Sequence, residues 1–142
     1  MKLGSERLKR YLSKFELIEE RTLDLNEWMQ GLSSDAFEKD KKTRLASFKA
    51  MQEIAEASFD ACSMLLKDSG KIVEDDYSNI EKLSELKILS EKTSSFLKEA
   101  NGLRNRFVHE YDSLETKTAF NSIKRLLPLF SDFVKEAKKW IK

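Results

Sequence analysis

Apolar residues recur along this chain three or four positions apart over long windows, the spacing that lines one face of an α-helix. Leu8, Leu12, Phe15, Ile18, Leu25 and Met29 form the first such stripe, with Thr22 filling its one gap. Leu45, Phe48, Met51, Ala55, Phe59, Cys62 and Leu66 form a second. A third runs Leu89, Thr93, Phe96, Ala100, Leu103 and Phe107, and a fourth Ala119, Ile123, Leu126, Phe130, Phe133, Ala137 and Ile141. Each reads as the buried face of one helix. No stretch shows a convincing strand-like alternation.

Punctuation residues fall between the stripes. The segment "QGLSSDAF" separates the first two helices. Ser69-Gly70 closes the second, with a glycine suited to the left-handed position that ends a helix. Ser78 and Glu81 have capping-box spacing for a short helix near 79–86. Asp112 and Glu115 repeat that spacing for the last helix, which is expected to start near Ser113. Pro128 lies inside the fourth stripe, where it removes a backbone donor and should bend the helix without ending it. Asn101-Gly102 would mark a hairpin between strands. Its flanks have helical period, so Gly102 belongs to the third long helix, at a cost of roughly 1 kcal/mol relative to Ala. The missing side chain would let another backbone approach closely, such as that of a second subunit. The expected fold is all-α: an antiparallel four-helix bundle with one additional short helix.

Composition narrows the class. A chain of 142 residues fits a single domain, taken as 1–142. Charged residues make up 36% and the mean hydropathy is −0.55. The longest apolar runs are a few residues, far short of the roughly 20 that a membrane span needs. The start "MKLGSERLKRYL" holds no apolar stretch of signal-peptide length, so a cytoplasmic location without a membrane is expected. Cys62 is the one cysteine, which excludes a disulfide within the chain, and one Cys with one His cannot assemble a zinc site. The formal charge of +1 hides an asymmetry. Residues 1–100 carry 17 basic and 20 acidic side chains, whereas residues 101–142 carry 9 and 5. That favours an anionic ligand near the C-terminal part. It is unlike the strongly basic face of a duplex-DNA binder.

The candidate chemistry is concentrated in "GLRNRFVHEY", residues 102–111, which holds the single histidine. His109 has the one side chain whose unperturbed pKa, about 6.5, suits proton transfer near neutrality. Arg104 offers a planar, permanently charged fork that matches a phosphate. Asn105 can orient the imidazole or a ligand, and at i, i+4 it shares a helix face with His109. Arg104 and His109 stand about 140° apart on an ideal helix. They converge on one ligand only if the helix ends near His109 or a second chain contributes. The Asp112 cap supports the first option, and Tyr111 then lies in a reachable turn. A histidine beside a phosphate-clamping arginine suits metal-free RNA cleavage. The imidazole would assist the 2′-hydroxyl or protonate the leaving oxygen, and the arginine would stabilise phosphoryl charge. No carboxylates cluster with His109 at metal-ligand spacing. The plainer reading is a histidine favourable with the helix dipole, with Arg104 and Arg106 paired to Glu99 or Glu110. Trp28 and Trp140 read as core or interface residues.

Residues 104–111, "RNRFVHEY", match the Arg-(four to six residues)-His signature of HEPN domains. In the form Arg-Asn-x-x-x-His-x-Tyr they resemble the HepT-type toxins of prokaryotic HepT–MntA toxin–antitoxin pairs. The similarity extends through "TRLASFKAMQEIAEASFDACSMLLKDSG" and "DDYSNIEKLSELKILSEKTSSFLKEANGLRNRFVHEYDSL", and covers roughly residues 5–140. The segment "QGLSSDAFEKDKK" looks longer and more polar than the family pattern. The resemblance implies a HEPN-like bundle that forms a homodimer, with the two motif copies facing each other across a cleft. It implies a metal-independent endoribonuclease toxin of a type VII-like pair, acting on an RNA substrate such as tRNA or mRNA. Arg104 and His109 would then be the catalytic pair, with Asn105 as the supporting polar residue and no cofactor for cleavage. The implied partner is an MntA-like minimal nucleotidyltransferase antitoxin that uses ATP to attach AMP at Tyr111. Such an adduct would add negative charge and bulk beside the site. The alternative is a non-catalytic HEPN binding module that supports a minimal nucleotidyltransferase.

Overall fold

The computed structural model describes residues 2–109 and 115–141, and the side chains of Val108 and His109 lie outside that description. Along the chain the helices are α1 (Ser5–Met29), α2 (Ser34–Lys39), α3 (Lys41–Asp68), α4 (Asp76–Glu85), α5 (Glu91–His109) and α6 (Thr116–Lys138). The four long helices are those the apolar pattern predicts, and the connector α4 is the short helix expected from the capping spacing. α2 is an addition inside the segment read as a plain linker. Six residues give little periodicity to detect, but the local signal is sound: the Ser33 hydroxyl accepts from the Ala36 N–H at 3.1 Å and caps the turn. What holds α2 in place is Phe37, fully buried, with ring centroids 5.8 Å from Phe48 on α3 and 4.8 Å from Phe120 on α6.

Ion pairs between helices show how neighbours run. Arg7, Lys14 and Arg21 on α1 meet Asp68, Asp60 and Glu53 on α3, ascending against descending numbers, so the two are antiparallel. Glu81 and Asp76 on α4 meet Lys98 and Arg104 on α5 in the same antiparallel sense. Thr93 and Glu99 on α5 meet Glu136 and Arg125 on α6, again antiparallel. The apolar faces close onto one core drawn from every helix, with Phe15, Ile18, Leu65, Leu66, Ile123 and Phe130 at its centre.

Several boundaries move relative to the sequence reading, each for a local reason. α4 starts earlier because Asp75 is its N-cap, its carboxylate accepting from the Ser78 N–H at 2.9 Å; Ser78 is the N3 member of that turn. Glu115 is likewise the N-cap of α6 and not its N3 residue, with the Thr118 N–H donating to it at 2.7 Å. Asp112 and Ser113 lie outside the described residues. α6 runs unbroken through Pro128. On α1 the buried position is Tyr11 and not Leu12, which is 43% exposed. Tyr11 can be buried because its hydroxyl donates to Asp68 at 2.6 Å, a partner that hydropathy alone does not reveal. On α3 Leu45 is exposed, and Ser47 and Phe48 take the buried face there. Trp28 and Trp140 are both exposed, which removes them from the core. Gly70 behaves as expected. At φ +78° it ends α3, with Gly70 N–H bonded to the Lys67 carbonyl and Lys71 N–H to that of Leu66.

Candidate functional site

The motif-bearing turn of α5 is fixed from below. Leu103 and Phe107 are buried, and the Phe107 ring stacks on Phe48 of α3 with centroids 4.8 Å apart. Arg104 follows the fully buried Leu97 by seven residues, two turns along the same face of the helix. A charged residue in such a position buries its stem and needs a partner for its head. The head lies against α3, with Cζ 5.6 Å from the Phe59 ring centroid, and Nη2 donates to Asp76 Oδ2 at 2.8 Å. The two side chains are 21% and 31% exposed, so this pair sits at the rim of the core. Arg104 Nε is buried and has no hydrogen-bond partner among the described residues.

The partner of Arg104 is thus the first residue of α4, and not Glu99, which is bonded to Arg125 on α6. Sequence reasoning missed Asp76. The available signal was the doublet Asp75-Asp76 ahead of a helix, where capping needs one acid and the second is left for another task. α4's N-terminus is itself anchored by Asn79, which is buried. Asn79 accepts from the Glu74 N–H at 2.7 Å and donates to the Glu74 carbonyl and to the Ser63 hydroxyl. Beneath the pair Cys62 is buried as well. Burial, and then the nearby Asp76 charge, push its thiol well above the ordinary range, so it is a packing residue and not a nucleophile.

Other motif positions face elsewhere. Asn105 is exposed on the neighbouring face of α5. The helix runs through to His109, so positions 105 and 109 are one turn apart and share that face. Arg104 is therefore brought together with Asp76 and not with Asn105. The His109 side chain and the whole of Tyr111 lie outside the described residues. Gly102 is exposed, and a Cβ built there would meet nothing within 4 Å among the described residues. It lines a shallow groove of about 330 Å³ with Glu99, Leu103, Arg106 and Ser122. Among the described residues no close backbone neighbour explains the glycine. Among the described residues no group of His, Cys, Asp and Glu is placed to hold a metal ion, and no helix is long and apolar enough to cross a membrane.

Comparison with known proteins bears on this arrangement. An Archaeoglobus fulgidus protein described as a putative RNase is 35% identical over 132 residues, 93% of this chain and 94% of that relative. A second from the same organism with the same description is 40% identical over 83 residues, 58% of this chain and 63% of that one. The tRNA nuclease HepT of Aphanizomenon flos-aquae is 28% identical over 134 residues, 91% of this chain and 88% of that relative. Among solved structures, a tri-AMPylated Shewanella oneidensis HEPN toxin in complex with an MNT antitoxin superposes with a TM-score of 0.85 at 19% identity, covering 96% of this chain and 99% of that one. The Bacillus subtilis cytosolic protein YutE, of unknown function, gives 0.75 at 16% identity, covering 97% and 90%. These likenesses are of fold. The family profile described as ribonuclease HepT-like matches residues 8–137. With nearly the whole bundle inside that match, the chain is a member of the ribonuclease HepT-like family.

Proposed function

We propose that this protein is a metal-independent endoribonuclease toxin in which Arg104 and His109 act on an RNA phosphodiester, with Asn105 as a supporting polar group. The observation that carries the reading is the placement of Arg104. A guanidinium is held at the rim of the core by Asp76 and the Phe59 ring, on the last turns of the helix that ends in the chain's single histidine. Family membership and the relatives described as RNases support it. The surplus of basic side chains over residues 101–142 suits a polyanionic substrate.

In this reading His109 takes the proton from a ribose 2′-hydroxyl or returns one to the departing 5′-oxygen. The 2′-oxygen bonds to phosphorus as the bond to the 5′-oxygen breaks, leaving a 2′,3′-cyclic phosphate and a 5′-hydroxyl. Arg104 stabilises the charge that grows on the non-bridging oxygens. Two copies of the chain place their motifs face to face, which gives the exposed face at Gly102 and Asn105 a partner. An MntA-like nucleotidyltransferase antitoxin silences the site by transferring AMP from ATP to Tyr111, adding negative charge where RNA phosphate must enter.

Cleavage of bulk tRNA and of a synthetic single-stranded RNA by the purified dimer in EDTA tests this. His109→Ala and Arg104→Ala are each expected to lose about 10²–10⁴-fold in rate while the dimer persists in light scattering. A His109→Ala protein that cuts at the unaltered rate removes His109 from the chemistry. Intact mass after incubation with the antitoxin and ATP checks Tyr111, since an adduct mapped to another residue excludes it.

A further inference from the structure

Pairing Arg104 with a histidine leaves out the side chain that touches Arg104 in the structure. We infer that Asp76 is a positioning residue: its carboxylate holds the Nη2 arm of the guanidinium so that Nη1 is presented to the RNA phosphate. The inference deepens the nuclease reading above and rests on it.

Four observations carry it. The guanidinium is planar and rigid, so one fixed nitrogen together with a ring contact sets the whole fork. Asp76 supplies the fixed nitrogen at 2.8 Å and Phe59 the contact, with Cζ 5.6 Å from its centroid. Nε is buried and has no partner among the described residues, so a phosphate cannot take the side-on Nε–Nη approach and meets the fork at its outer end. Asp76 is spared from capping, because Asp75 already bonds the Ser78 N–H and hydroxyl, both at 2.9 Å. The helix start that carries Asp76 is itself anchored, since the buried Asn79 amide ties the segment before α4 onto α3. A guanidinium half sunk in a core without its carboxylate would swing out to water. It would remain charged but would no longer be aimed. Aim affects the reaction step more than ground-state binding, so a kcat effect with little change in KM is the signature.

The test compares wild type, Asp76→Ala and Asp76→Asn as full-length protein, with two readouts. One is the NMR signal of the Arg104 guanidinium, assigned by its absence in Arg104→Ala. The other is RNA cleavage in EDTA. Asp76→Ala is expected to merge the Arg104 signal with those of freely rotating arginines. It should also lower kcat about 10–100-fold with KM within about threefold. Asp76→Asn keeps an acceptor oxygen, so it should retain a resolved signal and most of the rate. An Asp76→Ala protein whose Arg104 signal is unchanged overturns the inference, as does one that melts earlier but cleaves with unchanged kcat. If wild type cuts no RNA, the nuclease reading fails, and the NMR comparison still decides whether Asp76 holds Arg104.

Discussion

Two arginine–aspartate pairs cross this bundle with nearly the same dimensions. Arg7 Nε lies 2.8 Å from Asp68 Oδ2 and its Cζ is 5.6 Å from the Tyr11 ring. Arg104 Nη2 lies 2.8 Å from Asp76 Oδ2 and its Cζ is 5.6 Å from the Phe59 ring. Both sit at the rim of the core. The difference is closure. In the first, Asp68 also accepts the Tyr11 hydroxyl at 2.6 Å, so carboxylate, phenol and guanidinium satisfy one another. Burial and then the bond to Asp68 push that phenol far above its ordinary value, so it stays a donor. In the second, the aromatic neighbour is a phenylalanine that offers no hydrogen bond, and Nε has no acceptor among the described residues. A closed triad staples α1 to α3. In the second pair the described partner holds the guanidinium through Nη2 and leaves the buried Nε unmet, an incomplete satisfaction that a purely structural contact avoids.

Replacing each arginine by lysine should separate the two most widely. A lysine has one compact ammonium and cannot hold a carboxylate and present a second, fixed donor to a phosphate. Arg104→Lys is therefore expected to lose about 10²–10³-fold in RNA cleavage, the range found when one preorganised donor is removed from a charge-stabilising site. Arg7→Lys is expected to leave cleavage unchanged and to lower the unfolding midpoint. Equal rates for Arg104→Lys and wild type would mean that a point charge suffices there and that the fork has no special role.

On the closed side, Tyr11→Phe removes one bond to a charged acceptor while keeping the ring. A loss of about 2 kcal/mol in urea unfolding is expected, with RNA cleavage untouched. The same triad makes stability depend on acid. Burial alone would raise the Asp68 pKa, but the bonds from Arg7 and Tyr11 and the Arg7 charge together outweigh it, and the group sits below its ordinary 3.8. The folded carboxylate then holds its proton less readily than the unfolded one. Its contribution is complete above the unfolded value and is lost as pH falls through the lower folded value. The stability gap between wild type and Asp68→Asn should accordingly narrow below about pH 4. A gap that stays constant down to the acid unfolding limit would show that the carboxylate gains nothing from its charge.

How much of this could be read from the chain depends on what sets each feature. The four long helices follow from spacing alone, because each buries a stripe repeated over many turns. α5 and α6 match theirs nearly residue for residue, from Thr93 to Phe107 and from Ala119 to Ala137. Tyr11 and α2 were missed because a tertiary partner, Asp68 in one case and the Phe48–Phe120 pocket in the other, makes them favourable. The same holds at the candidate site. Arg104 and Asn105 stand out by type and by their place in a motif. Asp76 is 28 residues away on another helix, and only the antiparallel packing of α4 on α5 brings it to the guanidinium.

The smallest effect concerns the open side of α5, where the comparison extends from the pair to the surface next to it. Gly102 lies two residues before Arg104 in the interior of a helix, where glycine is roughly 1 kcal/mol worse than alanine. Among the described residues nothing stands within 4 Å of a Cβ at that position, so neither packing nor a left-handed backbone requires the glycine. For an isolated subunit Gly102→Ala should therefore stabilise the fold, by about 0.5–1 kcal/mol in unfolding experiments. If a second copy lays its backbone against this face, as the shared cleft requires, the added methyl group falls in that contact and the dimer should weaken. The two terms have opposite signs and separate by concentration: dilute samples unfold later than wild type, while sedimentation shows more monomer. A variant that is more stable and dimerises as well as wild type would place the subunit contact away from Gly102.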